Sequence, residues 1–132
     1  MGQTIKRFLL VDDDPLNNLL TQMILKKSFE EVHIKIFTNP EDALEYMKSE
    51  PLDIPIDEKT TLFLDINMPT LTGWEFLEVF ELFDSSIKEQ YDIYILSSSV
   101  EEKELNRAKE NGIILDFIEK PLNKIAVINM FS

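Results

Sequence analysis

The sequence predicts a doubly wound α/β domain, in which helices cover both faces of a five-stranded parallel sheet. Short apolar runs alternate with amphipathic runs along the chain, and no segment repeats another. The length of 132 residues is that of one ordinary domain. Alternating strands and helices of this kind build a parallel sheet that is buried on both faces.

The first strand–helix pair begins at Arg7. The run "RFLLVDD" is apolar, short and ended by polar residues, which predicts a buried strand. The run "DPLNNLLTQMILKKSF" predicts a helix with Asp14 as its N-cap and Pro15 at its first position. Its apolar residues recur at three- and four-residue spacing: Leu16, Leu19, Leu20, Met23 and Ile24.

Four further strand–helix pairs are predicted. The strands are "VHIKIFTN", which suits a position near an edge or a half-covered one, "TLFLD", "YDIYILS" and "ILDFIEK". The helices are "NPEDALEYMKS", "WEFLEVFELFD", "SVEEKELNRAKENG" and "PLNKIAVINMF". Ser99 and Glu102 have the spacing of a capping box, and we expect Trp74 to be partly exposed. We expect residues 49–60 to form a longer loop than is usual for such a connection.

The chain is acidic, with 25 acidic and 13 basic residues and a net charge of −12. Such a surface repels nucleic acid phosphates and favours divalent cations and basic protein surfaces, so we expect no direct nucleic acid partner. The absence of cysteine excludes disulfides and thiolate metal sites. Because no apolar signal core or run of about 20 apolar residues is present, we expect a cytoplasmic protein with no membrane segment.

Polar residues follow the predicted strands at the edge where parallel α/β sheets bind ligands. They are Asp12, Asp13 and Asp14 after the first strand, Asp65 after the third, Ser97, Ser98 and Ser99 after the fourth, and Lys120 after the fifth. Several carboxylates at one site need a cation or raised pKa values, and oxygen ligands select a hard ion such as Mg²⁺ or Mn²⁺. A lysine and a hydroxyl beside that ion would hold a phosphoryl group.

Four motifs carry a resemblance to a known family. In this order and spacing, "LLVDDDP", "LFLDINMPTLTG", "YILSSS" and "FIEKPL" resemble the receiver domain of two-component response regulators. The resemblance covers essentially the whole chain, so we expect a single receiver domain over residues 1–132, of the chemotaxis type. It implies the flavodoxin-like receiver fold.

The resemblance implies roles for the matching residues. Asp65 would accept a phosphoryl group from a phosphohistidine of a sensor histidine kinase or phosphotransfer protein. The Mg²⁺ ligands would be Asp12, Asp13, Asp65 and the backbone carbonyl of Asn67. Within the acidic pair, Asp13 is the preferred direct ligand, whereas Asp14 is assigned to the helix cap. Lys120 would pair with the phosphoryl group, and its bond to Pro121 would be cis.

Ser97 and Phe117 match the family's conformational switch residues. Counting back from Gly112 selects Ser97, whereas counting back from Lys120 points to Ser98. The two counts agree if "GIILDF" carries one extra residue. We select Ser97, because insertions are tolerated in loops.

The resemblance implies a phosphorelay switch that changes the affinity of one face for a downstream protein. That face comprises the fourth helix, fifth strand and fifth helix. Such a domain catalyses its own phosphorylation and dephosphorylation and is not classed as an enzyme. We expect the domain to act by protein binding without an output domain after residue 132, or to be a receiver excised from a longer regulator.

Other functions explain the sequence less well. A haloacid-dehalogenase-like aspartyl phosphatase needs a second acid two residues after its nucleophile, where this chain has Asn67. A flavin binder needs a phosphate loop rich in Ser, Thr and Gly after the first strand, which is absent. The complete acidic set argues against a receiver that signals without phosphorylation.

Overall fold

Five parallel strands form one sheet in the computed structural model, which describes residues 6–49, 59–98 and 101–131. The sheet order is β2-β1-β3-β4-β5. The strands are β1 (Lys6–Val11), β2 (Val32–Phe37), β3 (Thr60–Leu64), β4 (Tyr91–Ser97) and β5 (Ile114–Glu119). The helices in the described part are α1 (Pro15–Ser28), α2 (Pro40–Ser49), α3 (Gly73–Glu81), α4 (Ser85–Lys88), α5 (Glu102–Glu110) and α6 (Lys124–Met130).

The doubly wound α/β prediction is confirmed, but the expected number of five helices was wrong. The additional helix, α4, has four residues and lies between α3 and β4. None of its residues is buried, so it leaves no helical period of apolar residues in the sequence. The loop predicted over residues 49–60 lies largely outside the described residues, as does Ser99 of the predicted capping box.

Two apolar layers hold the helices against the sheet. One layer joins the sheet to α2, α3 and α5, and the other joins it to α1 and α6. Strand β3 lies at the centre of the sheet and all five of its residues are buried, whereas β2 lies at an edge, as predicted. The carboxyl ends of β1 and β3 are therefore neighbours, since Val11 pairs with Leu64.

Helix α1 is present as predicted, with Asp14 as its N-cap and Pro15 at its first position. Its apolar residues do not mark the face that packs on the sheet. The buried residues of α1 are Asn18, Thr21 and Leu25. Those exposed by 43% or more are Leu16, Leu19, Leu20 and Met23.

An irregularity in the pairing of β4 and β5 adds one residue to β5. Ile93 pairs with Ile114 and Tyr94 pairs with Asp116, so Leu115 has no partner in the register. Leu115 belongs to the segment "GIILDF", where the sequence comparison requires one extra residue. Because of this shift, Ser97 pairs with Glu119, the residue before Lys120.

Among the described residues, the helices are all too short or too polar to cross a membrane.

Candidate functional site

Three carboxylates meet where β1 and β3 end. Asp12 and Asp13 follow β1, Asp65 follows β3, and one carboxylate oxygen from each lies within 4.8 Å of the others. Asp12 and Asp65 are each 6% exposed, whereas Asp13 is exposed to solvent. Two of the three negative charges therefore stand in a largely water-excluded site, which favours a compensating cation.

Lys120 supplies part of that compensation. Its Nζ lies 2.5 Å from Asp12 Oδ2 and 3.6 Å from Asp65 Oδ2. The side chains of Lys120, Asp12 and Asp65 are 8%, 9% and 7% exposed, so these ion pairs are weakly screened by solvent. The lysine therefore contacts both the acceptor candidate and one member of the acidic pair.

Backbone and amide contacts fix the position of Asp12. Its Oδ1 accepts a hydrogen bond from the Asp14 N–H at 2.9 Å, and its carbonyl accepts one from Asn18 Nδ2 at 2.9 Å. The Asp14 side chain accepts from the Leu16 N–H at 2.9 Å, so Asp14 caps α1 as predicted. Asn18 is buried and was not among the predicted site residues. No sequence pattern identifies it, because most apolar residues of α1 lie on the exposed side of the helix.

The Asp65 side chain is held in place by a hydrogen bond from the backbone of Asn67. Its Oδ1 accepts a hydrogen bond from the Asn67 N–H at 3.1 Å. Burial raises the pKa of Asp65 above its ordinary value, and the charges of Asp12 and Asp13 act in the same direction. The Asn67 hydrogen bond and the Lys120 charge oppose that rise. The surroundings thus disfavour the ionised carboxylate, which a bound cation would stabilise.

Ser97 lies beside this cluster and is fully buried, whereas Ser98 is exposed. The Asn67 side-chain amide donates to Ser97 Oγ at 3.4 Å, and the Lys120 N–H donates to the Ser97 carbonyl at 2.8 Å. Phe117 is half-buried and packs against the core layer shared by α3 and α5. Ser97 therefore contacts residues from the two strand ends that carry Asp65 and Lys120, whereas Phe117 contacts the apolar core.

The peptide bond between Lys120 and Pro121 is cis, as expected. The expectation that Trp74 is partly exposed was wrong, because this residue is only 8% exposed and is therefore buried.

Helix α3 begins in direct contact with the residues that follow β3. A Cβ at Gly73 would lie 2.7 Å from Ile66 Cα and 2.8 Å from the Asp65 carbonyl oxygen, so this approach requires glycine. The Gly73 N–H donates to the Ile66 carbonyl at 3.1 Å. Thr72 and Glu75 complete a capping box at the same helix start. The loop after Asp65 is thereby fixed to α3.

The sequence profile of the response regulator receiver domain matches residues 8–132 of the chain. The chain belongs to the response regulator receiver domain family.

Response regulators of Oryza sativa and Meyerozyma guilliermondii are among the relatives. The two-component response regulator ORR1 of Oryza sativa subsp. japonica is 31% identical over 125 residues, which are 92% of this chain and 52% of that protein. Stress response regulator protein 1 of Meyerozyma guilliermondii is 31% identical over 117 residues, which are 89% of this chain and 50% of that protein. The chain thus spans about half the length of these relatives.

Solved bacterial receivers share the fold. A response regulator receiver protein from Dyadobacter fermentans aligns with a TM-score of 0.84 at 24% identity, over 95% of this chain and 94% of that one. A two-component response regulator from Cytophaga hutchinsonii aligns with a TM-score of 0.82 at 26% identity, over 98% and 96% of the two chains. The five-stranded sheet of this receiver domain is therefore the flavodoxin-like receiver fold.

Membership assigns the domain to two-component signalling, in which receivers interact with histidine kinases or phosphotransfer proteins. Receiver domains bind Mg²⁺ at an acidic pocket, and in this chain Asp12, Asp13 and Asp65 form an acidic cluster that could hold a metal ion.

Proposed function

We propose that this receiver domain is a phospho-accepting switch in a two-component phosphorelay, with Asp65 as the acceptor. The observation that carries the proposal is the convergence on Asp65 of an acidic pair from β1 and a lysine from the end of β5. We take residues 1–132 as a single cytoplasmic receiver domain. Its phosphodonor is a sensor histidine kinase or a phosphotransfer protein.

The transfer is a displacement at phosphorus. A carboxylate oxygen of Asp65 attacks the phosphorus of phosphohistidine, the P–N bond breaks, and the electron pair leaves with the imidazole nitrogen. A proton from solvent, taken up by the imidazole ring, makes the leaving group a neutral histidine. The product is an acyl phosphate on Asp65 and a histidine on the donor. Lys120 Nζ lies 3.6 Å from Asp65 Oδ2, which supports a role for Lys120 in pairing with the transferred oxygens.

The donor set fits Mg²⁺, because it consists of carboxylate oxygens close enough to share one ion. The proposed ligands are Asp12, Asp13, Asp65 and the backbone carbonyl of Asn67. Asp12 already accepts hydrogen bonds from Lys120 and the Asp14 N–H, whereas Asp13 faces solvent, which supports Asp13 as the more direct ligand. When bound, the ion neutralises charge on the phosphoryl oxygens.

The proposed output is a change in the face formed by α5, β5 and α6. The Ser97 hydroxyl turns toward the phosphoryl group, and the Phe117 side chain reorients with it. Phosphorylation thereby shifts the population between two conformations of the domain. The proximity of Ser97 Oγ to Asn67 and of its carbonyl to Lys120 supports this role. The partner is a downstream protein, and the strongly acidic chain is unsuited to direct nucleic acid binding.

Intact-mass measurement after incubation with acetyl phosphate and Mg²⁺ tests the proposal. We expect a gain of one phosphoryl group on the wild-type domain, lost when EDTA is added and in Asp65→Asn. Asp84→Asn is the matched control, because Asp84 is an exposed aspartate whose side chain makes no cap hydrogen bond, and it should retain the adduct. Absence of the adduct from the wild-type domain contradicts the proposal.

An aspartyl phosphatase is not favoured by this site. The residue two positions after Asp65 is Asn67, whose side-chain amide donates a hydrogen bond to Ser97 and, because it does not ionise near neutral pH, cannot act as the general acid. Repeated turnover of small phosphate esters, in place of a single stoichiometric adduct, would favour the phosphatase.

A further inference from the structure

Helix α5 is a polar helix with little buried surface. Within this fully described helix, Ala108 is the single buried residue. Most of its other side chains are charged, in the sequence "EKELNRAKE". A helix that buries so little apolar surface depends on a few specific contacts for its position and is able to move at low energetic cost.

One set of such contacts joins α5 to Trp74 of α3. The indole Nε1–H donates to Glu104 Oε2 at 2.7 Å, and the guanidinium carbon of Arg107 lies 4.5 Å from the ring centroid. Glu104 and Arg107 are three residues apart, so they lie on the same side of the helix. A hydrogen bond to a carboxylate and a cation above an indole face are both favourable, and the ring itself is buried.

This contact lies between the two parts of the proposed switch. Trp74 follows Gly73, whose backbone is in contact with Asp65 and Ile66. On the other side, four residues separate Ser97 at the end of β4 from the start of α5. Ser97 is thus close to α5 along the chain, and Trp74 is adjacent to the glycine that packs against Asp65 and Ile66.

We propose that Trp74, Glu104 and Arg107 form a latch that holds α5 in its position in the unphosphorylated domain and so opposes the switch. The inference rests on the proposed function. A contact made in only one of two conformations stabilises that conformation, and by linkage it weakens binding of any ligand that selects the other. Loss of the latch must therefore strengthen binding of a phosphoryl analogue.

Calorimetric titration with beryllofluoride in the presence of Mg²⁺ measures this coupling. We expect Glu104→Ala to bind the analogue about fivefold more tightly than the wild-type domain. Glu104→Gln should lie between the two, because its amide oxygen is a neutral acceptor for the indole N–H. Glu102→Ala is the control, because Glu102 is an exposed glutamate in the same first turn, and it should stay within about twofold of wild type.

Fluorescence reports the latch directly, because Trp74 is the only tryptophan of the chain. In the wild-type domain, we expect the Trp74 emission maximum to shift when the analogue saturates the site. In Glu104→Ala without analogue, the emission should already lie near that saturated value. If the contact only stabilised the fold, the emission maximum of Glu104→Ala without analogue would not match that of the analogue-saturated wild-type domain.

The outcomes separate the latch from the function on which it rests. Analogue binding by Glu104→Ala that equals that of Glu102→Ala, or is weaker, overturns the latch while the proposed function stands. A wild-type domain that does not bind the analogue overturns the proposed function and the latch with it. If Glu104→Ala fails to fold, Arg107→Gln provides the test, because Arg107 is exposed and its replacement is less disruptive. The latch predicts that Arg107→Gln binds the analogue more tightly than Lys103→Gln, a matched change on the same helix, and equal or weaker binding overturns the latch.

Discussion

Lys120→Met tests whether the site is held together by charge compensation. The lysine ammonium contacts Asp12 at 2.5 Å and Asp65 at 3.6 Å, and all three side chains are largely buried. Methionine keeps much of the apolar volume but removes the positive charge. Two buried carboxylates are then left facing each other without a compensating cation, unless a metal ion is bound.

The magnitude follows from burial. Removal of one partner from a buried ion pair costs roughly 3–5 kcal/mol. We take the lower value of about 3 kcal/mol, because Asp12 and Asp65 each keep a backbone N–H donor. With about 2.1 cal/mol/K of unfolding entropy per residue over 132 residues, this loss lowers Tm by about 10 °C.

Differential scanning calorimetry at pH 7 in EDTA measures the loss. Lys124→Met is the control, because Lys124 is an exposed lysine of α6, and its change should stay within about 0.5 kcal/mol. Excess Mg²⁺ should restore more stability to Lys120→Met than to wild type, because the ion replaces the missing charge and stabilises the state that binds it. In an Asp12→Asn background, the cost of removing Lys120 should shrink, because fewer buried charges are left unpaired.

Charge compensation by Lys120 is refuted if the Tm of Lys120→Met lies within a degree or two of that of wild type in EDTA. It is also refuted if the cost of losing the lysine is the same with and without Asp12. Either result would mean that solvent, rather than Lys120, compensates the carboxylates.

Three further predictions concern the same edge of the sheet. Asp65→Asn should raise the free energy of unfolding at pH 7 in EDTA, since burial raises the pKa of Asp65 and thus makes its ionised form costly in the folded state. With a raised carboxyl pKa the folded state holds more protons than the unfolded state, so wild-type stability falls as pH rises through the interval from 3.8 to the raised value. Denaturant titrations at several pH values should show the Asn advantage vanish at low pH; an advantage independent of pH would contradict this cause. Gly73→Ala should cost about 2 kcal/mol or more in the same titration, because its Cβ would meet backbone atoms of Asp65 and Ile66, whereas Gly112→Ala, with open space around it, should cost less than about 1 kcal/mol. Asp13→Ala should weaken Mg²⁺ binding in calorimetric titrations yet raise Tm in metal-free buffer by removing repulsion, and an unchanged or lower Tm would count against it.

Local patterns in the chain suffice for the order of the strands and long helices. The cap at Asp14, the proline after it, the short apolar runs and the polar residues that end them are each readable within a few neighbouring residues. The carboxyl ends of parallel strands share one sheet edge, so the location of Asp12, Asp13, Asp65 and Lys120 at that edge was also predictable from the alternation of strands and helices. The four motifs then identified the receiver family, which the profile match confirms.

Contacts between distant elements were not readable in this way. The exposed apolar side of α1, the four-residue helix α4 and the burial of Trp74 all depend on which side of each helix meets the sheet. Lys120 and Asp12 are 108 positions apart, and their pairing depends on how two strand ends are brought together. Periodicity and capping act over one or two turns of chain, whereas packing selects partners by shape and charge across the whole domain. The order of elements therefore came from local physics, and the charge compensation at the site and the attachment of α5 came from packing.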